Sequence, residues 1–242
     1  MKHHIRPLMR FLGLAVLLCG LLSGLLAGNG LAAKPHFLPA GSLDLVAVLP
    51  PPPADGSPRN KAELKELLHL QRTRTPAMIA FALEDVTRSP FRFADVLGPE
   101  FNKQNLPGVE EFFVAVLEDV SLQVDPPKQH WNRLRPFLLD PMIEPCLPQP
   151  ASASYPSGHS AFGHLAAIVL SAMVPEKAEA LAKRGEAFAR NRLIGGVHYP
   201  SDVAAGAEAA KIIAKALFEN PEFKKAFQEA KAQTRRVLGL TP

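Results

Sequence analysis

His159-Ser-Ala-Phe-Gly-His-Leu-Ala-Ala-Ile-Val-Leu-Ser-Ala-Met173 is apolar almost all the way round. Wound as a helix, it puts Ala161, Phe162, Leu165, Ala166, Ile168, Val169 and Leu170 on nearly every face, so it belongs in the middle of a core. A central helix needs other helices around it, and the chain supplies them. Ala62, Leu64, Leu67, Leu68 and Leu70 approximate helical spacing from Lys61 to about Gln71. Pro76 opens a second helix through Ile79, Phe81, Ala82, Leu83 and Val86. Pro107-Gly108 marks a break, and residues 109–124 then line up Phe112, Phe113, Val116, Leu117 and Val120. Asp125-Pro126-Pro127 is expected to end that helix, because proline removes an amide donor and crowds the preceding turn. Pro175 opens a further helix through Ala180, Leu181, Gly185, Phe188 and Leu193. Residues 200–219 and 221–238 read as two more, parted at Asn220-Pro221. No stretch alternates polar and apolar residues for long.

The expected fold is therefore all-α, a compact bundle of about seven or eight helices in one domain over residues 61–242. Residues 34–60, with Pro50-Pro-Pro-Pro53 and a turn at Asp55-Gly-Ser57, read as an extended proline-rich arm. Residues 137–154 read as a long loop, a place where function often resides.

Residues 1–33 have the form of a secretory signal: Lys2, Arg6 and Arg10, an apolar run from Phe11 to Leu26, and small residues to Ala32-Ala33. The expected destination is the bacterial periplasm, with no stable membrane span after cleavage. An uncleaved anchor is the alternative. Without these residues the formal charge drops from +4 to +1, which gives no reason to expect a nucleic-acid partner. Of the two cysteines, Cys19 leaves with the signal, so Cys146 has no partner for a disulfide or a cysteine-based metal site.

Three separated stretches carry chemistry. In Asn191-Arg-Leu-Ile-Gly-Gly-Val-His-Tyr-Pro-Ser-Asp202, a helix begun at Pro200 would bring Asp202 within a turn of His198. The carboxylate would then hold one imidazole nitrogen and leave the other free to attack, and Arg192 would supply fixed positive charge. Lys128-Gln-His-Trp-Asn-Arg-Leu-Arg135-Pro136 offers Lys128 and Arg135 as an oxyanion clamp. In Ala153-Ser-Tyr-Pro-Ser-Gly-His-Ser160, Gly158 admits a ligand close to the backbone, and a helix starting there aims free N–H groups at an anion. Ser157 can donate its hydroxyl, and His159 can protonate a leaving oxygen. Each stretch alone has a bland reading, as a surface pair, a solvated basic helix end or an ordinary helix start. Together they describe a pocket for a tetrahedral oxyanion.

The joint pattern Lys-x6-Arg-Pro, Pro-Ser-Gly-His and Arg-x5-His-x3-Asp resembles that of the phosphatidic-acid-phosphatase type 2 and vanadium haloperoxidase superfamily, and most of all the bacterial class A non-specific acid phosphatases. The likeness runs from about Leu49 to about Gln233. It implies an acid phosphatase with His198 as nucleophile, Asp202 orienting it and His159 as proton donor. It also implies Lys128, Arg135, Arg192, Ser157 and the Gly158 N–H as phosphate ligands, with no metal and no cofactor. Vanadate is expected to bind as an inhibitor. The partner is a small phosphomonoester, and the resemblance leaves room for a homo-oligomer. The sequence departs from the family where Asn191 replaces a usual Ser and where Gly195 stands at a frequent Cys. Rival readings are a vanadate-dependent haloperoxidase, a phosphatase of lipid phosphates or diphosphates, and a non-enzymatic phosphate binder.

Overall fold

The computed structural model describes residues 36–241, and the expected signal segment lies outside them. The described residues form ten α-helices: α1 (Leu45–Val48), α2 (Pro58–Thr73), α3 (Pro76–Glu84), α4 (Ala94–Leu97), α5 (Pro107–Trp131), α6 (Pro136–Leu139), α7 (Gly158–Met173), α8 (Ala178–Ile194), α9 (Pro200–Glu219) and α10 (Pro221–Val237). Two 3-10 turns, Pro90–Phe93 and Pro175–Lys177, sit between them. No strand occurs among the described residues, so the all-α expectation holds. Seven of the helices run nine residues or more, and the other three are single turns.

Proline writes much of this punctuation. Helices α2, α3, α5, α6, α9 and α10 all begin with Pro, whose missing amide proton would have no partner in a first turn. Side chains finish several starts: Ser57 accepts from the Asn60 N–H, Thr75 from Met78, Ser157 from Ser160 and Asn220 from Phe223.

Helix α7 is central. Ala161, Phe162, Leu165, Ala166, Val169, Leu170 and Met173 are buried in one cluster with Phe113, Val116 and Val120 of α5, Ile213 and Leu217 of α9, and Phe223 and Phe227 of α10. Glycines let the neighbours of α7 close tightly. A Cβ on Gly185 of α8 would lie 2.7 Å from the Ala167 Cβ, and one on Gly206 of α9 would lie 2.5 Å from the Ser157 carbonyl oxygen. Both distances fall inside van der Waals contact, so α8 packs on the middle of α7 through Gly185, and the N-terminus of α7 is drawn against the start of α9 through Gly206.

Three expectations need correction. Helix α5 does not stop at Asp125-Pro126-Pro127 but runs through both prolines to Trp131. The exposed side of the last turns tolerates Pro126. On the inner side, buried Val124, Pro127 and Lys128 keep the turns docked, and the Lys128 Nζ donates to the Ala153 carbonyl. The turn ends at Asn132, in the left-handed region at φ 42°. Helix α8 begins at Ala178 after a 3-10 turn, not at Pro175. The arm is not extended throughout, since α1 interrupts it and α2 already begins at Pro58. Asp119 of α5 anchors the arm, accepting from the N–H groups of His36, Phe37 and Leu38.

Candidate active site

The site is assembled where α5 ends, where α7 begins, and where α8 gives way to α9. Asp202 is the third residue of α9, and its carboxylate accepts from the N–H of Tyr199 at 2.9 Å, the reciprocal bond of a helix start. Its other partners are His198, four residues earlier, and two groups from far along the chain. His198 Nδ1 lies 3.2 Å away, Arg133 Nη1 2.6 Å, and the Ser154 hydroxyl also donates to it. Arg133 in turn donates to Glu63 of α2 at 2.9 Å and lies 3.8 Å over the Tyr199 ring. Burial opposes the charge on Asp202, but the bonds from His198, Arg133 and Ser154 outweigh it and hold its pKa below the ordinary value.

This carboxylate fixes the tautomer of His198: Nδ1–H donates to Asp202, and Nε2 carries the lone pair. Arg135 Nη1 donates toward Nε2 at 3.1 Å. The ring is 2% exposed. Burial, then the charges of Arg135 and Lys128, push its pKa down to about 3 against the pull of Asp202. His198 is therefore a neutral imidazole, held in one orientation, across the acid range.

His159 occupies the first turn of α7. Its Nε2–H donates to the Val86 carbonyl at 3.0 Å, and its ring stacks against Phe188. Burial, with Arg192, Arg88 and His198 nearby, holds its pKa well below the usual histidine value.

Around these rings stands a surplus of positive charge. Lys128 is driven to about 7 by burial and by Arg135. Arg135 and Arg192 are each lowered to about 10, burial again being the largest cause. Arg192 is 1% exposed, and its Nε and Nη1 have no hydrogen-bond partner among the described residues. A buried guanidinium without acceptors is costly unless an anion completes it.

A cavity of about 280 Å³ brings together Lys128, Arg135, Gly158, His159 and His198, with Arg88 and Asp125 at its wall. Asp202 stands behind His198, outside the cavity lining. Arg192 is also not a lining residue, but it sits near enough for its charge to act on His159. Ser157 is buried, and its oxygen caps α7 by accepting from the Ser160 N–H at 3.3 Å. It supports the Gly158 turn and does not line the cavity.

Sequence reasoning overlooked four groups. Arg133 lay inside the quoted Lys–Arg stretch, but nothing there said that it would face Asp202. Ser154 lay two residues before the Pro-Ser-Gly-His signature's Pro156. Glu63 and Arg88 had no local signal at all. The two departures from the family pattern are accommodated. Asn191 donates to Asp85 at 2.7 Å, and Leu147 occupies the space beside Gly195, where a Cβ would meet it at 2.3 Å. Cys146 is a free thiol near the Ile194 carbonyl.

A sequence model of the PAP2 superfamily matches residues 111–225, the region from α5 into α10 that holds most of this machinery. The chain is 31% identical to a non-specific acid phosphatase of Providencia stuartii over 84% of its own length and 87% of that protein. It is 30% identical to a non-specific acid phosphatase of Salmonella typhimurium over 85% of its length and 84% of the relative's. An acid phosphatase of Zymomonas mobilis matches 94% of the chain at 26% identity. A bacterial vanadium-dependent iodoperoxidase shares the fold with a TM-score of 0.56 at 19% identity, over 71% of this chain and about half (52%) of that one.

Fold and site thus define a PAP2-superfamily protein. Within that superfamily the chain belongs to the non-specific acid phosphatases, an enzyme family of phosphoric monoester hydrolases.

Proposed function

We propose that this chain hydrolyses phosphate monoesters through a phosphohistidine at His198, in the periplasm after export and without a metal. The observation that carries the reading is one cavity that sets Lys128, Arg135 and His159 around a neutral, carboxylate-oriented His198, with the unpartnered Arg192 guanidinium close enough to act on His159. The phosphoryl dianion enters the cavity and takes donors from Arg192, Arg135, Lys128 and the Gly158 N–H, while Ser157 holds the turn that presents that N–H. Arg135 turns from Nε2 to the phosphoryl oxygens, which frees the lone pair. Nε2 attacks phosphorus, the bond to the leaving oxygen breaks, and His159 gives that oxygen its proton. A water then gives a proton to His159 and attacks the phosphohistidine. The P–N bond breaks, and inorganic phosphate leaves. Cationic donors fixed in advance supply the charge stabilisation that phosphoryl transfer needs.

The pH range follows from the two rings. His198 stays unprotonated down to about pH 3. His159 has to be protonated, and its lowered pKa places that form on the acid side in the free enzyme. A bound dianion raises it again, by the attraction of opposite charges. The expected kcat/KM therefore peaks in acid and falls toward neutrality, with kcat falling at higher pH than kcat/KM. Above about pH 7 the loss of the Lys128 charge weakens phosphate binding further.

The test is turnover of phenyl phosphate by the wild type and by His198→Ala. The variant should lose roughly ten-thousand-fold or more in kcat, as for other covalent nucleophiles. Retained turnover would sink the reading. Vanadate should inhibit, and bromide or iodide oxidation by peroxide with added vanadate would favour the haloperoxidase reading instead.

A further inference from the structure

Arg88 belongs to none of the three chemical stretches, yet it lines the same cavity as His198, His159 and Lys128. It lies in the link between α3 and the Pro90–Phe93 turn, two residues after Val86, whose carbonyl holds His159. Its Nη1 is 3.8 Å from the point where a Cβ on Gly158 would stand. Among the described residues its guanidinium makes no hydrogen bond, and the one acid acting on its charge is the exposed Asp125. A second cavity of about 340 Å³ opens on its other side, with Thr87, Ser89, Phe91 and Phe113 in its walls. Arg88 thus stands between the phosphate cup and a space large enough for an aryl group.

The charge count singles it out. Arg192, Arg135 and Lys128 already match the two charges of a phosphoryl dianion together with that of Asp125 in the cavity wall, while Asp202 is committed to Arg133 and His198. One further cation is surplus to the group being transferred. It is placed beside His159, the proton donor to the leaving oxygen in the function proposed above, and so on the side of the leaving group.

We infer that Arg88 is a specificity-determining residue that selects phosphomonoesters whose leaving group carries an anionic group of its own, a carboxylate or a second phosphate. This inference rests on the phosphatase reading and adds its substrate class. A guanidinium meets either anion through two parallel N–H bonds, so the shared chemistry is a planar or tetrahedral oxyanion held beyond the scissile bond.

The experiment compares 3-carboxyphenyl phosphate and 1,3-phenylene bisphosphate with phenyl phosphate, for the wild type, Arg88→Ala and Arg88→Lys. The quantity read is the ratio of kcat/KM for each anionic substrate to that for phenyl phosphate at one pH. Arg88→Ala should lower both ratios about tenfold, the effect of losing one charge-assisted contact, and Arg88→Lys should restore part of them. A fall in one ratio alone would support the inference for that anion and show which of the two the residue serves. An unchanged ratio for both would overturn it, whether the absolute rates fall or not. A uniform fall would place Arg88 on the transferred phosphoryl group instead. If the wild type failed to hydrolyse phenyl phosphate, the phosphatase reading would fail first and this inference with it. Circular dichroism of both variants separates these outcomes from misfolding.

Discussion

Asp202 shows how much one carboxylate does here. It closes the first turn of α9, orients His198 and neutralises Arg133, all with no contact with solvent. Asp202→Asn keeps the size but can no longer fix the Nδ1–H tautomer, and it leaves the buried Arg133 with Glu63 as its one charged partner beside the Ser201 hydroxyl. The expected loss in kcat is on the order of a thousand-fold or more, with phosphate affinity less affected. A steady-state comparison of kcat and KM checks it. Gly158 gives a complementary test. A Cβ there would touch protein only at ordinary distances of 3.8 and 3.9 Å, yet it would project into the cavity. Gly158→Ala should therefore fold normally and raise the phosphate inhibition constant about tenfold. An unchanged constant would show that the anion does not approach the start of α7. The pairing of His198 with Asp202 was legible from their spacing, because a helix opened by Pro200 brings residues four apart together. Arg88 and Glu63 were not legible, because their parts depend on contacts between segments many residues apart.

At the scale of helices, the site depends on how closely α9 lies against α7. A methyl on Gly206 would meet the Ser157 carbonyl at 2.5 Å and the Ser160 Cβ at 2.7 Å, both fixed parts of the α7 start. Gly206→Ala should cost about 1–3 kcal/mol of stability, as overpacking does, and lower activity by displacing Asp202 from His159's helix. Thermal unfolding together with kcat measures both. A buried ionic cluster holds the opposite wall. Asp85 accepts from Arg184 at 2.6 and 2.9 Å, from Arg92 at 3.0 Å and from Asn191, and so ties α3, α8 and the segment bearing Val86 and Arg88 together. Removing that charge leaves the buried Arg184 with only the partly exposed Asp95, so Asp85→Asn should cost about 1–3 kcal/mol by denaturant unfolding. Most helices were legible from apolar spacing and from prolines at their starts. Helix α5 was misread at its end, because proline is locally a helix stop while the burial of Val124, Pro127 and Lys128 that overrides it is a tertiary effect. That misreading mattered, since only the extended helix carries Lys128 to the cavity.

Across the described residues, the molecule is a helical frame folded around a cluster of buried positive charges. Lys128, Arg135 and Arg192 all carry lowered pKa values, each a sign that the unliganded fold resists holding them charged. For Lys128 this resistance lowers stability as pH falls from its unfolded value of 10.5 toward about 7. A bound anion should reverse the cost. Phosphate at a hundred times its dissociation constant should add about 2.7 kcal/mol, or roughly 5–10 °C in Tm for a chain of this size. At one fixed phosphate concentration, a hundredfold over the dissociation constant at pH 5, the rise should be larger at pH 5 than at pH 9, and an equal rise at both would contradict the role given to these cations. The proposed attack by His198 needs all three segments to meet, so an attempt to capture the proposed phosphohistidine is the most direct test. Wild-type protein turning over a radiolabelled aryl phosphate at pH 5 would be quenched into alkaline denaturant, where a P–N bond survives, and then mapped by proteolysis. The expected result is label on the peptide containing His198 in the wild type and none in His198→Ala. Phosphate released with no labelled protein at any quench time, or label retained in His198→Ala, would contradict the central claim.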